Sequence, residues 1–213
     1  MATKIYGFRP QERLQLMDKN IEYYNKNAKS FFDSTVDADM SLWRDKFESY
    51  VVAGGRILDA GCGSGRDSKA FMKHGFSVLA FDASREMCQM ASDLLKQRVR
   101  QMRFEEMEFD EEFHGVWACA SLLHVSSSEL PDVLRRINKA LVSKGALYVS
   151  FKYGDGSMTR GERSFSNFNE ITIVPLLETA GFSMHECGIT SDVRPGRAEE
   201  KWINAIARKQ YCY

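Results

Sequence analysis

Two acids and three glycines carry the first chemical signal in this chain. Asp59 follows the apolar pair Ile57-Leu58, and Gly61, Gly63 and Gly65 come after it at alternate positions. A second apolar run, Val78 to Phe81, ends in Asp82, twenty-one residues beyond Gly61. Glycines at such a junction let the main chain turn sharply and let a ligand approach the backbone with no Cβ in the way. Amides at the start of the following helix would face an anionic or polar group. An acid at the tip of the second strand can accept hydrogen bonds from both hydroxyls of a ribose. The spacing therefore describes a nucleoside pocket. It is not a dinucleotide fingerprint, because the third glycine of that pattern would fall on Arg66, and it is not a phosphate loop, because no lysine-serine pair follows.

The elements that must hold these residues alternate. The pattern predicts strands near 56–60, 77–81, 99–104, 115–119, 145–151, 182–188 and 202–208, with helices near 65–74, from Ser84 to about Lys96, from Ser128 to Leu141, and near 172–180. Ser84 is the expected N-cap of its helix. Pro131 and Pro175 are expected in first helical turns, where a missing N–H costs little. Tyr153 to Ser166, rich in glycine, reads as a loop. Ahead of the first strand, Leu14, Met17, Ile21, Tyr24, Ala28 and Phe31 recur at helical spacing from about Gln11 to Phe32, and Met40, Trp43, Phe47 and Val51 mark a second helix. Strand–helix alternation demands a parallel sheet with helices on both faces. The last two strands have no helix between them and must form a hairpin. The expectation is one α/β domain over 1–213, with a helical cap at 1–52 and a core at 53–213.

The run Asp59-Ala60-Gly61-Cys62-Gly63-Ser64-Gly65 resembles the first motif of the class I S-adenosylmethionine-dependent methyltransferases. That resemblance covers roughly residues 20–210. It implies a Rossmann-like, seven-stranded, mostly parallel sheet with an antiparallel last strand. It also implies S-adenosyl-L-methionine as cofactor, S-adenosyl-L-homocysteine as product, Asp59 near the methionine end, glycines beneath the cofactor and Asp82 on the ribose. Gly63-x-Gly65-Arg66-Asp67-Ser68, followed by Gly75, Ala80, Asp82 and Ser84, further resembles the tellurite-resistance and thiopurine types, which act on soft or small acceptors. There Arg66 would support the cofactor carboxylate or the turn.

In an open α/β sheet, ligands lie beyond the carboxyl ends of the parallel strands. That rule adds Ala83 and Ser84 after the second strand, Met102, Arg103 and Phe104 after the third, and Ala120, Ser121 and His124 after the fourth. By the resemblance, the third loop lies against adenine, with Arg103 where an acid is usual and Glu105 as its substitute. The fourth loop lies beside the methionine and the methyl acceptor, with His124 as a general base, an orienting donor, or only a packed histidine. Tyr24 is either a lid residue over the sulfonium or plain packing. No amino-group motif such as Asn-Pro-Pro-Tyr follows the fourth strand, which disfavours methylation of adenine or glutamine nitrogens.

The loop between the last two strands must overhang the same edge. It brings Arg194 and Arg197, and the loop after the fifth strand brings Tyr153, Arg160 and Arg163. These arginines either clamp an oxyanion or are neutralised by Glu162, Glu199 and Glu200.

With 29 basic and 29 acidic residues the net charge is zero, which argues against a protein devoted to nucleic acid. No apolar run approaches a membrane span, and the polar stretch from Met1 to Arg13 has no signal-peptide core. The cysteines at 62, 88, 119, 187 and 212 form no C-x-x-C pair, so reduced thiols in the cytoplasm and no metal are expected. The reading is an enzyme that methylates a small, anionic or chalcogen-containing molecule. A methyltransferase of tRNA or protein and a non-catalytic cofactor-binding module are the alternatives.

Overall fold

The computed structural model describes residues 19–210. The expected helical positions Leu14 and Met17 and the cysteine at 212 lie outside them.

Three helical segments precede the sheet. Residues 19–26 form α1, Ala28–Thr35 form α2 and Ser41–Glu48 form α3. The single helix expected up to Phe32 is broken at Asn27, whose side-chain amide donates to the Tyr23 carbonyl at 2.8 Å. Asparagine competes in this way with continued helix.

The strands are β1 (Arg56–Ala60), β2 (Ser77–Asp82), β3 (Arg100–Gln101), β4 (Phe113–Ala118), β5 (Leu141–Tyr153), β6 (Ser157–Arg160), β7 (Arg163–Phe168), β8 (Phe182–Ser191) and β9 (Lys201–Lys209). Between them run α4 (Arg66–Lys73), α5 (Arg85–Leu95), α6 (Leu130–Ala140) and α7 (Glu170–Thr179). β3, β2, β1, β4 and β5 are parallel neighbours in that order. β9 runs antiparallel along β5 from Ala146 to Lys152, and β8 pairs antiparallel with β9. These seven strands are the expected Rossmann-like sheet with its final hairpin.

Alternation along the strands divides the core into two layers. Ile57, Trp117, Tyr148 and Ile206 face α3 and α4, where they meet Trp43, Phe47 and Phe71. Trp117 and Tyr148 stack at 3.8 Å. Leu58, Val116, Leu147 and Ala205 face the other way, towards Leu134 and Ile137 of α6 and Ile173 and Leu177 of α7. The α6 residues Leu130, Val133, Leu134 and Ile137 fall on one helical stripe and are all buried. Each such side chain contributes about 1.5–3 kcal/mol by leaving water.

Three expectations need correction. The third strand is only two residues long: Met102 N still bonds Asp82 O at 3.0 Å, but Glu106 then accepts from Arg103 N at 2.7 Å and bends Phe104–Glu106 into a 3-10 turn. The stretch read as a loop after Tyr153 holds an antiparallel hairpin, β6 with β7, joined through Gly161 at φ 62°. A glycine at positive φ suits a two-residue hairpin turn, and the mostly polar strands hid the signal. Pro175 lies inside α7, because Asn169 starts the helix earlier by accepting from Ile171 N and Thr172 N at 2.9 and 3.0 Å. The carbonyl deprived of a donor is that of Ile171, a residue 82% exposed.

The hairpin matters for function. Lys152 of β5 pairs with Trp202 of β9 and also with Asn167 of β7, so β9 and β7 occupy opposite edges of β5. β7 therefore continues beside β5 past the end of β4, over the carboxyl edge of the sheet.

Candidate functional site

The glycine turn is fastened to the second strand. Gly61 N and Cys62 N both donate to Phe81 O at 2.9 Å, and Gly61, Gly63 and Gly65 sit at φ 78°, 53° and 77°. A Cβ on Gly61 would lie 2.5 Å from the Ser121 Cβ, so the β1 and β4 loops interlock only because that position has no side chain. Ser121 Oγ donates to Ala60 O at 2.7 Å. Ala120 adopts φ 51°, a conformation that costs a non-glycine residue about 1–2 kcal/mol. The Ser150 hydroxyl, bonded to Ala120 N at 2.8 Å, helps hold it.

Asp82 joins the turn to the next helix. One carboxylate oxygen accepts from Gly63 N and the other from Ser84 N, each at 2.9 Å. Ser84 Oγ also accepts from Met87 N at 3.2 Å, as an N-cap should, and donates to Asn25 of α1 at 2.7 Å. Burial raises the Asp82 carboxyl against the pull of these amides.

Asp59 and Asp67 form the opposite wall, and their environments set them apart. Asp59, 2% exposed, accepts the Ser68 hydroxyl at 2.6 Å. Burial, reinforced by the charge of Asp67, pushes its pKa up to about 7. For Asp67, burial is outweighed by Arg66, which donates through two nitrogens at 3.0 and 2.6 Å, and by the Trp117 indole at 3.0 Å. Arg44 of α3 adds a bond at 3.3 Å, and the Asp67 carboxyl lies below its usual range. Two guanidinium groups thus share one carboxylate beside the cleft.

All but four of the expected site residues line a single cleft of about 1680 Å³, its open mouth included. Tyr24, Asp59, Gly61, Gly63, Arg66, Asp82, Ala83, Ser84, Arg103, Phe104, Ala120, Ser121 and His124 line its inner part, and Arg160, Arg163, Arg194 and Arg197 its outer part. Gly65, Met102, Tyr153 and Glu105 do not. Gly65 faces Ala91 and Leu95 of α5. Met102 packs against the core. Tyr153, 41% exposed, turns to Glu170. Glu105 lies in a separate depression with Glu129 and Arg136, away from Arg103 in the cleft.

The outer arginines are held in pairs. Arg194 grips Asp192 of its own loop, and Trp202 Nε1 bonds the same carboxylate at 3.1 Å. Burial alone would raise Asp192, but the Arg194 bonds hold it low. Arg160 and Arg197 reach Glu200 at 3.1 and 3.7 Å, and Lys152 also bonds Glu200. Arg163 lies 4.3 Å from the Tyr23 ring centre and 5.3 Å from that of Phe165. Of the three glutamates expected as partners, Glu200 takes that part. Against five cations this end sets two carboxylates: the arginines are paired, and positive charge remains.

Lys152, Phe165 and Trp202 also line the cleft and were not anticipated, nor were Asn20 and Phe31. Only Lys152 had a readable signal, since it alternates with the core residue Phe151 at the carboxyl end of a buried strand. Tyr24 meets Phe31 edge-on at 5.0 Å and its hydroxyl lies 2.8 Å from His124 Nε2. His124 Nδ1 lies 3.0 Å from the Ser164 carbonyl oxygen of β7. Burial, with Arg163 and Lys152 nearby, pushes His124 down to about 4.

A parallel sheet with a glycine turn after its first strand and a carboxylate after its second defines a nucleoside-binding α/β protein. Residues 57–145 match the family described as a methyltransferase domain. An uncharacterized methyltransferase of Staphylococcus carnosus (strain TM300) is 26% identical over 137 residues, which are 61% of this chain and 66% of that one. Among solved structures, the 1,6-didemethyltoxoflavin-N1-methyltransferase of Burkholderia thailandensis, bound to 1,6-didemethyltoxoflavin and S-adenosylhomocysteine, is similar with a TM-score of 0.79 and 20% identity. It covers 98% of this chain and 94% of its own. A SAM-dependent methyltransferase of Methanosarcina mazei is similar with a TM-score of 0.70 and 19% identity, over 78% of this chain and 98% of that one. Residues 57–145 thus carry a methyltransferase domain, on a fold shared with S-adenosylmethionine-dependent methyltransferases.

The residues present fit that cofactor. An ionised carboxylate has about four acceptor positions, and backbone amides use two on Asp82, leaving room for two ribose hydroxyls. Arg66 offers charge for a carboxylate, Asp59 offers an acceptor for an ammonium, and Tyr24 with Phe31 offers ring faces for a sulfonium.

Proposed function

We propose that this chain transfers the methyl group of S-adenosylmethionine to a small anionic molecule with a flat, apolar body. One observation carries the reading: the cleft runs unbroken from the glycine turn and Asp82 to an end where Lys152, Arg163 and Arg194 surround Phe165 and Trp202. Cations beside aromatic faces suit an anion with delocalised charge. The Burkholderia protein, similar along nearly the whole chain, is a methyltransferase with the small molecule 1,6-didemethyltoxoflavin bound, which supports a small-molecule acceptor. The finer likeness to tellurite and thiopurine types rests on the motif around Arg66 and names no acceptor.

S-adenosylmethionine supplies a methyl carbon on positively charged sulfur, with a neutral thioether as leaving group. The chain's part is to bind and to align, since alignment of the reacting atoms supplies much of such a rate. Asp82 and the glycine turn fix one end of the cleft, and Arg66 and Asp59 serve the methionine end. Phe31 and Tyr24 cover it from above and exclude water. Arg163, Lys152 and Arg194 hold the acceptor's charge. Among the described residues no helix is long and apolar enough to cross a membrane. The thiols of Cys62, Cys88, Cys119 and Cys187 are free, which suits the reducing cytoplasm.

The test is methyl incorporation from labelled S-adenosylmethionine into a protein-free metabolite extract, separated by charge. Label is expected in small anions. In Arg194→Ala the acceptor KM should rise about tenfold or more, the scale of one charge-assisted contact, with cofactor affinity unchanged. Label found instead in tRNA or protein would overturn the reading.

A further inference from the structure

The contact between Tyr24 and His124 decides more than the closure of the cleft. A backbone carbonyl can only accept, so the 3.0 Å contact of Ser164 O with His124 Nδ1 places the ring hydrogen on Nδ1. In the neutral ring Nε2 is then a bare acceptor, and the Tyr24 hydroxyl 2.8 Å away must be the donor. The hydroxyl hydrogen is thereby aimed at His124, and the phenolic oxygen, which the Arg163 side chain also approaches, turns a remaining lone pair to the cleft that both residues line. The anchors lie on separate elements. Ser164 N donates to Asn20 Oδ1 of α1 at 3.1 Å, and Phe165 packs on the His124 ring at 5.1 Å. Helix α1 and strand β7 thus fix the pair from both sides, and Arg163, Lys152, Asp82 and Arg194 are charged groups that act on it.

We propose that Tyr24 and His124 form a proton exit, and that the acceptor therefore carries N–H or O–H at the atom it methylates. This deepens the methyl-transfer reading above and rests on it. As the bond from the acceptor's nitrogen or oxygen to the methyl carbon forms, the carbon–sulfur bond breaks and sulfur keeps that electron pair. The acceptor's hydrogen, held on the Tyr24 oxygen, then passes to that oxygen as a proton. The former hydroxyl hydrogen of Tyr24 moves to His124 Nε2, and the imidazolium releases one proton to water. Acceptor hydrogens become strongly acidic only once the new bond has formed, so a weakly basic imidazole next to two cations suffices as a relay. Soft anions without hydrogen at the nucleophilic atom gain nothing from this arrangement.

Two measurements on the full chain saturated with S-adenosylhomocysteine and with S-adenosylmethionine, respectively, test it. Long-range proton–nitrogen NMR of the His124 ring at neutral pH should show the Nδ1-protonated neutral tautomer, with the Nε2 signal displaced in Tyr24→Phe. An Nε2-protonated ring, or an Nε2 signal indifferent to Tyr24→Phe, overturns the proposal without reference to any acceptor. With the protein-free metabolite extract as probe, Tyr24→Phe should slow labelling on the order of a hundredfold. Any rate difference between water and deuterium oxide seen in the wild type should vanish, and adding His124→Ala to Tyr24→Phe should cost little more. Labelling within twofold of wild type, or confined to thiols and other soft anions, overturns it. Tyr24→Phe keeps the ring against Phe31, so calorimetry with S-adenosylhomocysteine should change by less than about threefold. That keeps a failure of the relay distinct from a failure of cofactor binding.

Discussion

Replacing Asp82 with alanine separates a binding role from a structural one. The carboxylate accepts from Gly63 N and Ser84 N at 2.9 Å and has capacity for two hydroxyls more. Bonds to a charged group contribute about 1.5–3 kcal/mol each. Losing two removes roughly 3 kcal/mol or more, and at about 1.4 kcal/mol per decade that is about a hundredfold in Kd. The same substitution leaves two partly buried amides without their acceptor, at about 1 kcal/mol each. For a chain of this size each kcal/mol lowers Tm by about 2–4 °C, so a fall of roughly 4–8 °C is expected. Calorimetry with S-adenosylhomocysteine reads the first effect and thermal unfolding without ligand reads the second. Asp82→Asn keeps an acceptor oxygen and should fall between wild type and Asp82→Ala on both. A Kd within twofold of wild type, in a protein that still unfolds cooperatively, would refute the ribose assignment. A large loss of affinity with no change in Tm would refute the claim that Asp82 ties the turn to α5.

Two further outcomes are expected. Gly61→Ala combines a strained φ of 78° with a Cβ 2.5 Å from Ser121. It should cost about 2–5 kcal/mol in chemical denaturation, against about 1–2 kcal/mol for Gly75→Ala, where φ is 89° and nothing lies within 4 Å; equal losses would contradict the interlocked loops. Asp59 is raised from 3.8 to about 7 by burial and Asp67, so its contribution to stability is present below 3.8 and is lost as pH rises through about 7. An ammonium placed beside it would draw off that proton. Binding of S-adenosylhomocysteine should therefore release a proton near pH 6.5 (roughly half a unit below the Asp59 value) and tighten as pH rises towards 8. Calorimetry in buffers of different ionisation enthalpy reads this, and an unchanged proton count in Asp59→Asn would show that another group is responsible.

The inner half of the site was legible because its determinants are local. Positive φ after β1 demands glycine at 61, 63 and 65, a strand's length sets the distance to Asp82, and Ser84 declares a helix start. None of these depends on a distant partner. The parallel sheet followed in the same way, from the alternation of apolar strands with amphipathic helices such as α6. Shorter polar elements escaped. β3 shrank to two residues because the Glu106 side chain captured the backbone of Arg103. The β6–β7 hairpin has little hydrophobic alternation to announce it.

The sequence by itself determined a glycine turn, an acid one strand away and a sheet that must present both at one edge. Only the tertiary structure decided what faces them. Tyr24 meets His124 across a hundred positions of sequence. Lys152 and Arg160 converge on Glu200 from different strands. The Asp59 and Asp67 carboxyls shift in opposite directions because burial prevails at one and two guanidinium groups prevail at the other. Contacts of this kind arise from packing between elements far apart in the chain, and local propensity holds no record of them.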